Sequence, residues 1–132
     1  MTLVVDASVL VALLVDSGPS GLWAEEVTAG RALVAPHVVH VETANVLRRA
    51  AMVGDVSSDV ASLAHADLQD LRVELFSYEV CAERVWELRH NLTAHDAWYV
   101  AVAELVDAPL ATLDQRLATA PGTLCELLVP PS

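Results

Sequence analysis

Apolar and polar positions alternate here between short β-rich runs and longer stretches with helical spacing. Residues 3–5 are apolar and include two β-branched side chains, which predicts a central parallel strand buried on both faces. Asp6-Ala7-Ser8 offers an N-cap for a helix running to about Val15, and Ser17-Gly18-Pro19-Ser20 breaks it. A second helix over about 21–29 ends at Gly30, and 32–35 is the next strand. Pro36 precedes a long helix, about 38–53, closed by Gly54. Ser57 or Ser58 starts another to about Asp70, followed by a short strand at 73–76. Helices over about 79–90 and 94–106 come next, then a strand at 110–113, a short helix at about 115–119 and a last strand at 124–127. This alternation with short links predicts an α/β protein, helices layered on both faces of a parallel sheet of four or five strands. The 132 residues, with no repeat, linker or low-complexity segment, are expected to form one domain, 1–132.

Four acids lie at the ends of apolar runs, open them or interrupt them: Asp6, Glu42, Asp96 and Asp114. In open parallel sheets, ligands bind outside the carboxyl ends of the strands. Asp6 and Asp114 each follow a predicted strand, so both belong at that edge. Thr93 and Asp96 have capping-box spacing, which puts Asp96 in the first turn of its helix, and helix N-termini cluster at the same edge. Glu42 has Val38, Asn45 and Arg49 as helical neighbours, while Val39, Thr43, Val46 and Ala50 form the more apolar stripe. It therefore sits beside the core and can point into a cleft. Each acid has a plainer reading: Asp6 and Asp114 as helix caps, Asp96 as half of a capping box, Glu42 as a solvated side chain. Independent caps do not require acids to gather at one sheet end, where mutual repulsion disfavours the unliganded state. Gathered, they are hard oxygen ligands for a divalent cation.

Charge sharpens this. The formal net charge is −11, lysine is absent and all seven basic residues are arginines. A P-loop and a Schiff-base enzyme both need a lysine, and both are excluded. The acidity argues against broad passive binding to nucleic acid, so such chemistry would rest on a local site with a metal supplying positive charge. The first sixteen residues are apolar, yet no Lys or Arg precedes Arg31 and Asp6 interrupts the run. Neither a secretory signal nor a membrane span fits, and a cytoplasmic protein is expected. Cys81 and Cys125, without ligand spacing, read as free thiols in a reducing compartment.

Val4-Val5-Asp6-Ala7-Ser8-Val9-Leu10-Val11, Glu42 before Asn45-Val46-Leu47, Leu92-Thr93-Ala94-His95-Asp96-Ala97-Trp98-Tyr99-Val100-Ala101 and Ala108-Pro109-Leu110-Ala111-Thr112-Leu113-Asp114-Gln115-Arg116-Leu117 together resemble the PIN-domain family. More closely, the chain looks like a VapC-type toxin of bacterial toxin–antitoxin pairs, over nearly its whole length. The first motif is weak alone; the last two together are quite specific. The resemblance implies an α/β/α PIN-like fold, Mg²⁺- or Mn²⁺-dependent endoribonuclease activity, inhibition by a cognate VapB-type antitoxin, and homodimerisation. Its acidic positions map onto Asp6, Glu42, Asp96 and Asp114, and the helices over 21–29 and 38–53 are the implied antitoxin-facing region. His95 departs from the aromatic often found in close relatives.

Mg²⁺ keeps several waters and takes one or two carboxylates directly, which favours Asp6 and Asp96 as main ligands. Glu42 and Asp114 would act through water, hold a second ion or orient the nucleophile. Ser8 and Thr112 are candidates to hydrogen-bond the acids, or simply make local turn bonds. Arg48 and Arg49 are candidate RNA contacts, or ordinary surface charges. His37 and His40 form the least dismissible histidine pair, but packed or solvated imidazoles are favoured for all five. Trp23, Trp86 and Trp98 read as core or partner-interface residues rather than base-stacking platforms. Three rivals stand beside the nuclease reading. A phosphotransfer or dehalogenase-like enzyme wants the missing lysine, an adhesion-type metal module wants a serine where Leu10 stands, and a PIN-like binding module would have lost catalysis.

Overall fold

The computed structural model describes residues 1–131. Its elements run β1 (Thr2–Val5), α1 (Ala7–Val15), α2 (Pro19–Thr28), β2 (Ala32–Pro36), α3 (Val39–Met52), α4 (Ser58–Asp70), β3 (Val73–Phe76), α5 (Ala82–Glu87), α6 (Ala94–Val106), β4 (Leu110–Ala111), α7 (Gln115–Ala118) and β5 (Leu127–Leu128). The five strands form one all-parallel sheet in the order β3-β2-β1-β4-β5. The chain thus steps outward from β1 through β2 to β3, then returns past β1 to β4. With right-handed crossovers, α1 to α4 fall on one face and α5 and α6 on the other. The α/β/α layering expected from the alternation is present, with five strands.

β1 lies at the centre, and Leu3, Val4 and Val5 are fully buried, as a strand covered on both faces requires. Val4 stands opposite Val34 on one side and Leu110 on the other; Val5 pairs with Ala111. The return from β3 to β4 makes β1 and β4 the point where strand order reverses. That is where a parallel sheet opens a crevice at its carboxyl edge. From one layer α6 covers β1, β2 and β4, burying Ala97, Val100, Ala101, Val102 and Ala103; α1 supplies Val9, Leu10 and Ala12 to the core.

Boundaries move where local chemistry outweighs periodicity. The break at Ser17–Ser20 is shorter than expected, because Pro19 opens α2 from its first turn, a position that needs no N–H. Gly21 is required there: a Cβ would lie 1.8 Å from the Asp16 carbonyl oxygen, where α1 and α2 meet at 112°. The helix expected over 79–90 contracts to Ala82–Glu87, since Cys81 provides no side-chain cap and the last turn tightens to bonds such as Leu88 N–H to Val85 O. β4 is two residues, not four, and the last strand is Leu127–Leu128 rather than 124–127. Leu124, 81% exposed, gives its N–H to the Glu104 carboxylate at 2.8 Å instead of to a strand. Arg84 grips Glu104 through Nε and Nη2 and also donates to the Gly122 carbonyl, so one ion pair anchors this segment. Among the described residues no single helix is long and apolar enough to cross a membrane.

Candidate active site

Asp6 is the residue immediately after β1, and its extended backbone makes it the N-cap of α1. Its Oδ1 accepts from the Val9 N–H at 3.2 Å and from the Ser8 hydroxyl at 2.5 Å; its Oδ2 accepts from the Thr112 hydroxyl. Those hydroxyls are themselves held across the switch point. Ser8 Oγ accepts from Leu113 N–H at 3.0 Å, and Thr112 Oγ1 accepts from Asp114 N–H at 3.0 Å. The carboxylate is therefore both a cap and the centre of a network tying β1 to β4. Burial pushes its pKa above the ordinary aspartate value, against the opposing pull of the Ser8, Thr112 and backbone hydrogen bonds.

Glu42 lies in the first turn of α3 and is half-buried. The Tyr99 hydroxyl donates to its Oε1 at 2.5 Å. Tyr99 is 3% exposed, and its pKa is driven far upward by burial first, then by the hydrogen bond to Glu42 and the negative charges of Glu42, Asp6 and Asp96. Three of the four acids thus bear on one phenol. In the sequence motif Tyr99 stands as one more residue of an apolar helix. The signal that marks it is its i+3 spacing from Asp96, which puts both on one face of α6.

Asp96 occupies the first turn of α6, and Thr93 Oγ1 accepts from its N–H at 3.3 Å. Among the described residues the Asp96 carboxylate accepts no protein hydrogen bond, so only half of the expected capping box forms. Asp114 caps α7, accepting from Arg116 N–H at 2.9 Å with Arg116 Nε at 3.5 Å. Asp96 and Asp114 line one cavity of about 210 Å³ together with Asn91, Thr93 and Arg116. Arg48 lies elsewhere, in a groove of about 390 Å³ between α3 and α4, where its Nε donates to Asn45 Oδ1. Arg49 is exposed on α3. Trp23 and Trp98 pack on the core, but Trp86 is 66% exposed with the Arg89 guanidinium 4.7 Å over its ring.

Among the described residues no three Asp, Glu, His or Cys side chains stand close enough to form a ready-made ligand set. The arrangement is looser: Glu42 is bonded to Tyr99, the charges of Asp6 and Asp96 reach the same phenol, and Asp114 shares a cavity with Asp96. Among the described residues no Arg or His lies within ion-pair distance of Asp6, Glu42 or Asp96; Arg116 reaches only Asp114. The donors are all hard oxygens, and the Asp96 carboxylate and Glu42 Oε2 retain free lone pairs. That donor set fits Mg²⁺ or Mn²⁺, which complete their coordination with water.

An all-parallel α/β/α sheet with unpaired carboxylates at its switch point defines a class of domain rather than an activity. The chain belongs to the PIN-domain family, whose model, described as PIN domain, matches residues 3–122. Curated relatives include Ribonuclease VapC1 of Mycobacterium tuberculosis, 38% identical over 125 residues and covering 94% of each chain. Ribonuclease VapC9 of the same organism is 36% identical over 129 residues, 98% of each chain. Among solved structures, PAE2754 from Pyrobaculum aerophilum superposes with a TM-score of 0.69 at 24% identity, covering 96% of this chain and 83% of that one. VapBC2 from Rickettsia felis, bound to a DNA fragment from their promoter, gives 0.66 at 15% identity, covering 96% and 98%. These two likenesses concern the fold.

Proposed function

We propose that this protein is a divalent-cation-dependent endoribonuclease of the VapC toxin type, using Mg²⁺ with Mn²⁺ as a substitute. The observation that carries the reading is the buried Asp6 carboxylate at the β1–β4 switch point, with the charges of Glu42 and Asp96 felt at the neighbouring Tyr99 and, among the described residues, no cation from the protein paired with any of the three acids. The full-length relatives named ribonucleases support RNA as the substrate. When bound, a divalent ion supplies water activation and neutralises the scissile phosphate. Asp6 and Asp96 would hold it, and Glu42 and Asp114 would act through water, hold a second ion or orient the attacking water. Ser8 and Thr112 fix the Asp6 carboxylate so that it need not reorganise on binding. Arg116, at the rim of the Asp96–Asp114 cavity, and Arg48 and Arg49 on α3 are the cations available to RNA phosphates.

Regulation follows the same reading: a VapB-type antitoxin with a basic tail neutralises the acidic cleft, α2 and α3 face it, and the toxin is a cytoplasmic homodimer that stays off membranes. Cleavage of mixed RNA with Mg²⁺ by wild type, Asp6→Asn and Asp96→Asn tests the site; equal cleavage by all three sinks it. Products should carry 5′-phosphate and 3′-hydroxyl ends, and a 2′,3′-cyclic phosphate would overturn water attack. Mn²⁺ binding without cleavage would indicate a PIN-like binding module, and full cleavage in the presence of the antitoxin would end the inhibition model.

A further inference from the structure

The hydrogen bond from Tyr99 to Glu42 joins residues 57 apart in sequence and two helices from different layers. α3 packs chiefly on α1 and α4, and α6 on the sheet and α5, so this bond does not reinforce an extensive helix–helix interface. It ties one of the four acids to the helix that carries another, Asp96. One partner is rigid: the Tyr99 ring belongs to the core, on a helix whose next residues, Val100 to Ala103, are buried. The other is a half-buried glutamate with three free torsions, flanked by the exposed Val41 and Asn45. A phenol has one hydrogen to give, so it engages one carboxylate oxygen and leaves the other free.

We propose that Tyr99 is a positioning residue, holding Glu42 in the acidic site through Oε1 and leaving Oε2 for the divalent cation or its water. The inference rests on the metal-dependent reading above for its consequence, but the positioning can be read without metal.

Tyr99→Phe keeps the ring and removes only the donor. It should melt within a few degrees of wild type, yet calorimetric titration of the RNA-free protein with Mn²⁺ should show affinity about 10- to 100-fold weaker. Turnover should fall in the same range, with KM for RNA little changed. In a Glu42→Gln background, adding Tyr99→Phe should cost nothing further, because the residue acts through Glu42. Additive losses, or wild-type Mn²⁺ affinity in Tyr99→Phe, would overturn the proposal. Crystals of metal-free wild type and Tyr99→Phe give the separate readout. Glu42 should leave its wild-type rotamer in the variant, and an unmoved Glu42 refutes positioning even if metal dependence stands. Conversely, a moved Glu42 in a protein that binds no Mn²⁺ keeps the positioning and removes the metal.

Discussion

Thr112→Val isolates the hydroxyl that closes the site. The side chain is fully buried, and valine matches its shape while removing one donor and one acceptor. Thr112 Oγ1 donates to Asp6 Oδ2 and accepts from Asp114 N–H, so both partners lose their bond. A buried charged acceptor deprived of its donor costs about 1.5–3 kcal/mol, and the part-buried N–H adds roughly 1 kcal/mol. The total, about 2–4 kcal/mol, corresponds to a fall in Tm of about 5–15 °C for a domain of this size. Thr112→Ser is the control, because it keeps the hydroxyl and loses one methyl, worth about 1 kcal/mol. Thermal melts at neutral pH, followed by circular dichroism, should rank wild type above Thr112→Ser and Thr112→Val lowest. In an Asp6→Asn background the penalty for valine should shrink, since the uncharged amide needs the donor less. A Thr112→Val protein melting at or above Thr112→Ser would refute the assignment of the network as the closure of β1 on β4.

Other expectations follow from the same contacts. Asp6 is raised in pKa by burial, so its ionisation opposes folding: its contribution is fully present below the unfolded aspartate value and lost as pH rises through the folded one. Asp6→Asn should therefore gain Tm relative to wild type as pH rises from acidic to neutral while abolishing cleavage, and added Mg²⁺ should narrow the gap; a pH-independent difference would contradict this. Gly21→Ala should destabilise by about 3 kcal/mol, since α2 must shift away from the Asp16 carbonyl; urea midpoints measure it, and a neutral result would mean that the α1–α2 crossing is looser than described. Arg84→Met should leave RNA cleavage intact but speed hydrogen exchange at the Leu124 amide, because Glu104 loses the guanidinium that fixes it.

The alternation of runs was enough to place β1, α1, α3, α4 and α6 within a residue or two, because each carries a period or a cap with a local cause. The expected Asp6 cap is real, and the same side chain also accepts hydrogen bonds from Ser8 and Thr112, so capping and tying β1 to β4 fall on one carboxylate. What the chain did not disclose is non-local. Tyr99 looks like one more apolar residue of α6 until Glu42, on another helix, is placed against it. β5 starts later than the apolar Leu124 and Cys125 imply, because the backbone of Leu124 is claimed by Glu104, twenty positions earlier. α5 is shorter than its sequence implies, because apolar spacing continues through Leu88 while the hydrogen bonding tightens. That Glu42 is bonded to Tyr99, and Asp6 to Thr112, depends on strand order, which no window of sequence encodes.

The bond from Thr112 to Asp6 spans 106 residues. Asp6, Glu42 and Asp96 all precede β4 along the chain, so a fragment that ends between Asp96 and β4 holds three of the acids yet lacks the hydroxyl that fixes the first of them. Folding cannot assemble the site from one end of the polypeptide inward; it must wait for a strand made late to dock beside one made first. The proposed cleavage is thereby tied to synthesis of β4, and a fragment that ends before it is expected to be inert rather than partly active.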